Sequence, residues 1–261
     1  MSKMPVLYVS HGAPTLPLEQ SAARDFLTGL GATVARPRAI LAVSAHWETD
    51  RPAVSTAGQP ETIYDFHGFP RELYRLRYPA PGAPQLAARV AELLAAGGMP
   101  AQLDPQRGLD HGAWTPLMLM YPQADIPVTQ LSIQPQSGPE YHLRLGESLR
   151  PLRDEGVLIL ASGSVTHNLH EIRAPGGRDA QTPSWVTQFN EWLAATVLAG
   201  RASDLVAYRS KAPHAVRNHP GDEHLLPLLV AAGAAGTEAK AARLHSSYAY
   251  GVIGMDAYRF D

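Results

Sequence analysis

The 261-residue sequence contains no cysteine. That excludes disulfides, thiolate metal ligands and a cysteine nucleophile. Any transition-metal site must therefore be built from imidazole and carboxylate. Charge of one sign is also missing. The 22 Lys and Arg residues nearly balance 24 Asp and Glu, for a formal net charge of -2. Neither nucleic acid nor an anionic membrane surface has an electrostatic reason to bind. No apolar run approaches bilayer length, and the one in MSKMPVLYVSHG is too short for a signal peptide. A soluble cytoplasmic protein acting on a small molecule is expected, and monomer or homo-oligomer is left open. Four catalytic signatures are absent as well: H-E-x-x-H, G-x-S-x-G, Walker A, and G-x-G-x-x-G after a strand. This argues against zincin proteases, α/β-hydrolases, P-loop NTPases and Rossmann dehydrogenases. The SGS at 162–164 is no nucleophile elbow, because its middle residue is glycine.

Hydrophobic residues make up 45% of the chain, enough for a large buried core. Apolar runs at 5–10, 39–45 and 156–162 predict buried strands, and 126–133 alternates like a strand. A weaker strand is expected at 204–209. Helical spacing predicts helices over 18–31, 83–97, 139–153 and 183–200. A short helix is expected at 115–121 with Pro116 in its first turn, and another at 222–235. Residues 241–260 resemble an antiparallel hairpin turning near Gly251 to Gly254. Strands alternating with helices predict one α/β domain over residues 1–261. Its central sheet is mainly parallel, flanked by helices, with an antiparallel C-terminal edge.

Eleven histidines stand out. Three of the apolar strands end alike, in VLYVSHG, ILAVSAHWE and VLILASGSVTHNLH, which carry His11, His46, and His167 with His170. A lone histidine after a strand is usually a hydrogen-bonding loop residue. Three in equivalent places are different, because ligands of open parallel sheets sit beyond the carboxyl ends of the strands. If the strands are neighbours, their imidazoles meet at one point and form a metal or catalytic site. His111 lies between Asp110 and Gly112 just before a helix. His214, His219 and His224 fall in APHAVRNHPGDEH, with His224 expected in or near a first helical turn, where the helix dipole keeps the ring neutral. Glu223 beside it could serve as ligand, as partner to the histidine or as an ordinary first-turn acid.

Six segments occur in order: SHGAPTL, SAHWE, YDFHGFPRELYRLRYPAPG, LDHGAWTPL, SGSVTHNL and HPGDEHLLPLL. Together they resemble the class III (LigB-type) extradiol ring-cleavage dioxygenases, in the 4,5-DOPA dioxygenase-like branch. The resemblance implies that His11 and His46 bind one divalent metal. It further implies that His224 takes the place of the glutamate ligand of other ring-cleaving relatives, with Glu223 adjacent. His167 matches the acid/base residue and touches the metal in zinc-containing members. His111 matches a pocket histidine, and Tyr64, Phe66 and Phe69 are expected to wall the pocket. The implied metal is Fe(II) for oxygen chemistry, with Zn(II) often found in its place. The implied reaction opens a catechol ring with O2 to a muconic semialdehyde. Two other readings use the same histidines: a zinc hydrolase with His167 as base, and a metal-binding relative without activity. Arg71, Arg75, Arg77 and Arg217 are candidates for holding a substrate carboxylate.

Overall fold

The computed structural model describes residues 3–172 and 177–261. Ten strands are present among them: β1 (Val6–Ser10), β2 (Ala39–Glu48), β3 (Ala53–Ser55), β4 (Gln102–Asp104), β5 (Val128–Ile133), β6 (Val157–Gly163), β7 (Ala241–His245), β8 (Tyr248–Ala249), β9 (Ile253–Gly254) and β10 (Ala257–Phe260). The helices are α1 (Ala22–Leu30), α2 (Pro84–Ala96), α3 (His111–Met120), α4 (Gly138–Leu149), α5 (Ser184–Leu198), α6 (Ala202–Val206), α7 (Tyr208–Lys211), α8 (Ala215–Asn218) and α9 (Leu226–Ala235). Eight strands form one sheet in the order β4-β3-β5-β2-β6-β1-β10-β7, and β8 pairs with β9 separately. The centre, β5-β2-β6-β1, is parallel, and β10 and β7 add antiparallel strands beyond β1. Among the described residues no helix is long and apolar enough to cross a membrane.

The central strands are apolar throughout because both faces are covered. Val6, Tyr8, Leu41, Val43, Ile159 and Ala161 pack with α2, α4 and α9 on one face. Leu7, Val9, Ile40, Ala42, Leu158 and Leu160 pack with α1 and α3 on the other. This is the two-residue alternation of a strand. At the far end from the histidines, buried Arg153 closes the sheet. Its guanidinium donates to the carbonyls of Met4 (2.8 Å), Ala235 (2.7 Å) and Phe260 (3.4 Å).

The structure departs from the sequence reading in four places. Residues 204–209 are helical, in α6 and α7. Leu205, Tyr208 and Ala212 are buried at helical spacing, which overrides a short apolar run. Helix α3 begins at His111, which puts Pro116 in its interior. Helix α9 begins only at Leu226, so His224 precedes it. Strands β3 and β4 were not expected, since three-residue strands carry no pattern.

His142 on α4 is fully buried and uses both ring nitrogens. Nδ1–H donates to the Gly138 carbonyl at 2.7 Å, and Nε2 accepts the Gln134 N–H at 3.0 Å. Only the neutral ring can do both, and burial pushes its pKa down to about 4. The unfolded chain therefore takes up this proton first. The stability contribution is complete above the unfolded value of about 6.5 and is lost as pH falls toward 4. The full loss is about 3 kcal/mol. His142→Gln should flatten the dependence of melting temperature on pH between 6.5 and 4. Equal slopes in the two proteins would show that His142 takes no part.

Candidate metal centre

The three histidine-bearing strands are neighbours, and their ends lie abreast. Ser162 of β6 pairs with Val9 of β1 and with Ser44 of β2. His11 and His46 each lie two residues past that level. The pleat therefore returns both to the face that carries α3. β2 runs on to Glu48, so His46 is held inside a strand rather than in a loop. His11 follows β1 directly, with its N–H on the Gly163 carbonyl at 3.1 Å. His11 Nε2 and His46 Nε2 are 3.0 Å apart. That is less than twice a metal–nitrogen bond of about 2.1 Å.

The remaining rings arrive from loops. His111 opens α3, and its ring centroid is 3.9 Å from that of His46 and 5.3 Å from that of His11. His224 is brought in by β6: Gly163 has room only for hydrogen, since a Cβ there would sit 2.1 Å from the His224 carbonyl oxygen. That carbonyl accepts the Ser164 N–H at 2.9 Å. The His224 ring lies 5.4 Å from His11 and 4.9 Å from His46 by centroid. His167 stacks face to face on His224, with centroids 3.4 Å apart and planes 12° apart. Among the described residues two sets of donor atoms are close enough for a cation: His11, His46 and His111, and His167, Glu223 and His224, so the set that joins His11 and His46 holds His111 rather than His224. An imidazole binds a cation in its ring plane. Two stacked rings direct their lone pairs along near-parallel lines, so His167 and His224 do not share an ion as they stand.

The hydrogen bonds behind the rings decide which nitrogens are free. Pro116 has no N–H, so the carbonyl of Gly112, four residues earlier, lacks its helical partner. The Ser162 hydroxyl donates to that carbonyl. Its oxygen is left to accept from His11 Nδ1–H at 3.0 Å. A neutral ring carries one proton, so His11 Nε2 presents a lone pair. His224 Nδ1–H likewise donates to Glu223 Oε1 at 3.1 Å, and its buried Nε2 has no partner. An orphaned atom of this kind, on a ring that shares the cavity with His11 and His46, is what a site for a cation leaves behind. His111 donates twice to Asp65: the backbone N–H to Oδ1 at 3.0 Å and Nδ1–H to Oδ2 at 2.9 Å. The same Oδ2 is 3.6 Å from His46 Nδ1. Asp110, fully buried, accepts from Ser44 Oγ (2.7 Å), Arg107 Nη2 (2.7 Å), Gln130 and the Ala113 N–H (3.2 Å). It thereby caps α3 and ties that helix to β2.

Burial is the main force on the rings' protonation, and neighbouring imidazoles add to it. His11 and His224 are held well below the usual histidine range. His46 is pushed down to about 4 and His167 to about 3. All four are neutral at neutral pH, the form that ligates.

These rings line a cavity of about 400 Å³. Its other walls are Phe66, Phe69, Leu169, Ile172, Tyr250 and Ile253, with Gly12, Ala13, Pro14 and Ser164. Tyr64 departs from expectation. It lies behind the wall, edge-on to Phe66 at 6.1 Å, with its hydroxyl on the Leu76 carbonyl at 2.7 Å. His170 is exposed and outside the lining, His214 bonds Gln188, and buried His219 bonds the Val165 carbonyl. Among the described residues no Arg or Lys lines the cavity; Arg217 pairs with Glu171 and stacks on Trp185. Asp65, Asp110 and Ser162 were not singled out from the sequence. Asp110 alone had a signal, an aspartate immediately before a helix.

Residues 3–261 match the family described as the catalytic LigB subunit of aromatic ring-opening dioxygenase. The chain belongs to this family of metal-dependent, ring-opening dioxygenases. A 4,5-DOPA dioxygenase extradiol of Beta vulgaris is 45% identical over 97% of this chain and 95% of its own. One of Escherichia coli (strain K12) is 43% identical over 89% and 86%. The crystal structure of an uncharacterized protein from Escherichia coli K12 superposes with a TM-score of 0.81. It is 35% identical, and the match covers 99% of this chain and 100% of that one.

The Ser162 hydroxyl yields a prediction. Ser162→Ala should lower divalent-metal affinity roughly 10–100-fold, as loss of a ligand's hydrogen-bond partner does. Competition against a chromophoric chelator measures this. Unchanged affinity would show that Ser162 does not set the orientation of His11.

Proposed function

We propose that the chain is an extradiol dioxygenase that opens a catechol ring with O2, both oxygen atoms entering a muconic semialdehyde. Residues 1–261 then form one catalytic domain. The observation that carries the reading is the convergence of bare imidazole nitrogens on one side of an otherwise apolar, aromatic-walled cavity.

His11, His46 and His224 would hold one divalent cation through Nε2, and the donor set suits Fe(II) and Zn(II) alike. When bound, Fe(II) supplies Lewis acidity toward the two ring oxygens and a path for electrons from ring to O2, of which Zn(II) offers only the first. The remaining work falls to the chain. Phe66, Phe69, Leu169, Ile172 and Ile253 exclude water and flank the flat ring. His167, neutral and stacked outside the ligand set, accepts a proton from a catechol hydroxyl and returns it to oxygen after ring opening. His111 faces the same cavity and bonds a substrate hydroxyl. Tyr64 acts at one remove, by backing Phe66.

The test is anaerobic reconstitution with Fe(II), then O2 uptake and the appearance of a coloured ring-opened product across a catechol panel. His11→Ala, His46→Ala and His224→Ala should each abolish stoichiometric metal binding, while His111→Ala retains it. The reverse result for His224 and His111 would make His111 the third ligand. His167→Gln should keep its metal and lose activity about 10²–10⁴-fold. Full activity in that variant would remove His167 from its role.

A further inference from the structure

Asp65 occupies an unusual position. It comes from the long segment between β3 and α2, yet its carboxylate touches two histidines of the cavity. Oδ1 takes the backbone N–H of His111, one of the first-turn donors of α3 that has no partner within the helix. Oδ2 takes His111 Nδ1–H at 2.9 Å and faces His46 Nδ1 at 3.6 Å. The two rings lean on each other, with centroids 3.9 Å apart.

We propose that Asp65 is a positioning residue that holds His111 in one tautomer, with the proton on Nδ1 and a bare Nε2 toward the cavity. A carboxylate only accepts, so the nitrogen facing it carries the hydrogen. His111 Nδ1 is fixed by a direct hydrogen bond. His46 Nδ1 is beyond hydrogen-bond range of Asp65, and its Nε2 lies 3.0 Å from the bare Nε2 of His11, to which it donates when no ion sits between them. Asp65 thus does for His111 what Ser162 does for His11 and Glu223 for His224. The consequence for His111 is specific. Its inward nitrogen is an acceptor, so it takes a hydrogen bond from a substrate hydroxyl and does not donate one to oxygen. The part concerning a substrate hydroxyl rests on the function proposed above. The tautomer itself does not.

Long-range proton–nitrogen correlation spectra of the metal-free protein with 15N-labelled histidine test the proposal. Wild-type His111 should show protonated Nδ1 and bare Nε2. Asp65→Asn keeps the shape but turns an amide N–H toward His111 Nδ1 when its oxygen stays on the backbone N–H. It should shift His111 to the Nε2–H form. Asp65→Ala removes the acceptor and should leave a mixture. The KM for catechol in the Fe(II)-reconstituted enzyme should rise about 10-fold in Asp65→Asn, as loss of one hydrogen bond to the substrate hydroxyl does, and no further in Asp65→Ala. A purely structural Asp65 predicts the opposite order, with isosteric Asn nearly harmless. Nε2–H on wild-type His111, or a wild-type tautomer and KM in Asp65→Asn, would overturn the proposal. The wild-type spectrum decides alone if the variants fail to fold. Loss of the metal reading, seen as His11→Ala keeping its zinc, leaves the tautomer result standing by itself.

Discussion

A missing hydrogen bond in α3 underlies the orientation of the first histidine. Proline at 116 leaves the Gly112 carbonyl without a helical donor, and a buried carbonyl must find another. Ser162, on the neighbouring strand end, supplies its hydroxyl and is then obliged to act as acceptor toward His11. The proton on His11 is thus located at one remove by Pro116, which does not line the cavity. Gly112 is part of the same arrangement. A Cβ there would lie 2.3 Å from Ser44 Oγ and 3.0 Å from His46 Cδ2, so only glycine lets α3 approach β2.

His111 and His224 follow the same rule, each with a carboxylate oxygen behind one ring nitrogen and the other nitrogen bare. Such an arrangement is stable only if the rings stay neutral, and the fold enforces this by burial. Clustering reinforces it, since protonating any ring would place a cation against its neighbours. Parallel strands suit the purpose. Their carboxyl ends stop side by side, so two imidazoles set two residues past a common level meet without a long loop. Antiparallel neighbours would carry them to opposite ends of the sheet.

What could be read from the sequence tracks the distance over which each residue acts. Strands β1, β2 and β6 were legible because strands covered on both faces are apolar without interruption. Their terminal histidines were legible because the pattern repeats. Ser162 was not, since its meaning depends on His11, 151 residues away, and on the proline opposite. Asp65 was quoted only as part of an aromatic segment, and its partner His111 lies 46 residues on. The same segment shows the limit for aromatics. Phe66 reaches the cavity and Tyr64 does not, although two residues apart they look equivalent. At 204–209 the short apolar run suggests a strand, but the buried Leu205 and Tyr208 lie three apart, a helical interval.

The placement of negative charge bears on the chemistry. Asp65, Glu223 and Asp110 all sit behind or beneath imidazoles, bonded to ring nitrogens or, for Asp110, to α3 and β2. Under the proposed ligand set no carboxylate reaches the cation directly, so the donors are uncharged and the ion keeps its full charge for the substrate. A catechol that loses its protons on binding provides the compensating negative charge through its two ring oxygens. A glutamate ligand would neutralise part of that charge before substrate arrived. In the present arrangement Glu223 is instead occupied with His224 Nδ1. The apolar walls add to the effect, because the attraction between cation and ring oxygens is stronger where water is excluded. Under the proposed function, neutral donors in front, carboxylates behind and hydrocarbon around the cavity would together favour a bidentate, deprotonatable ring.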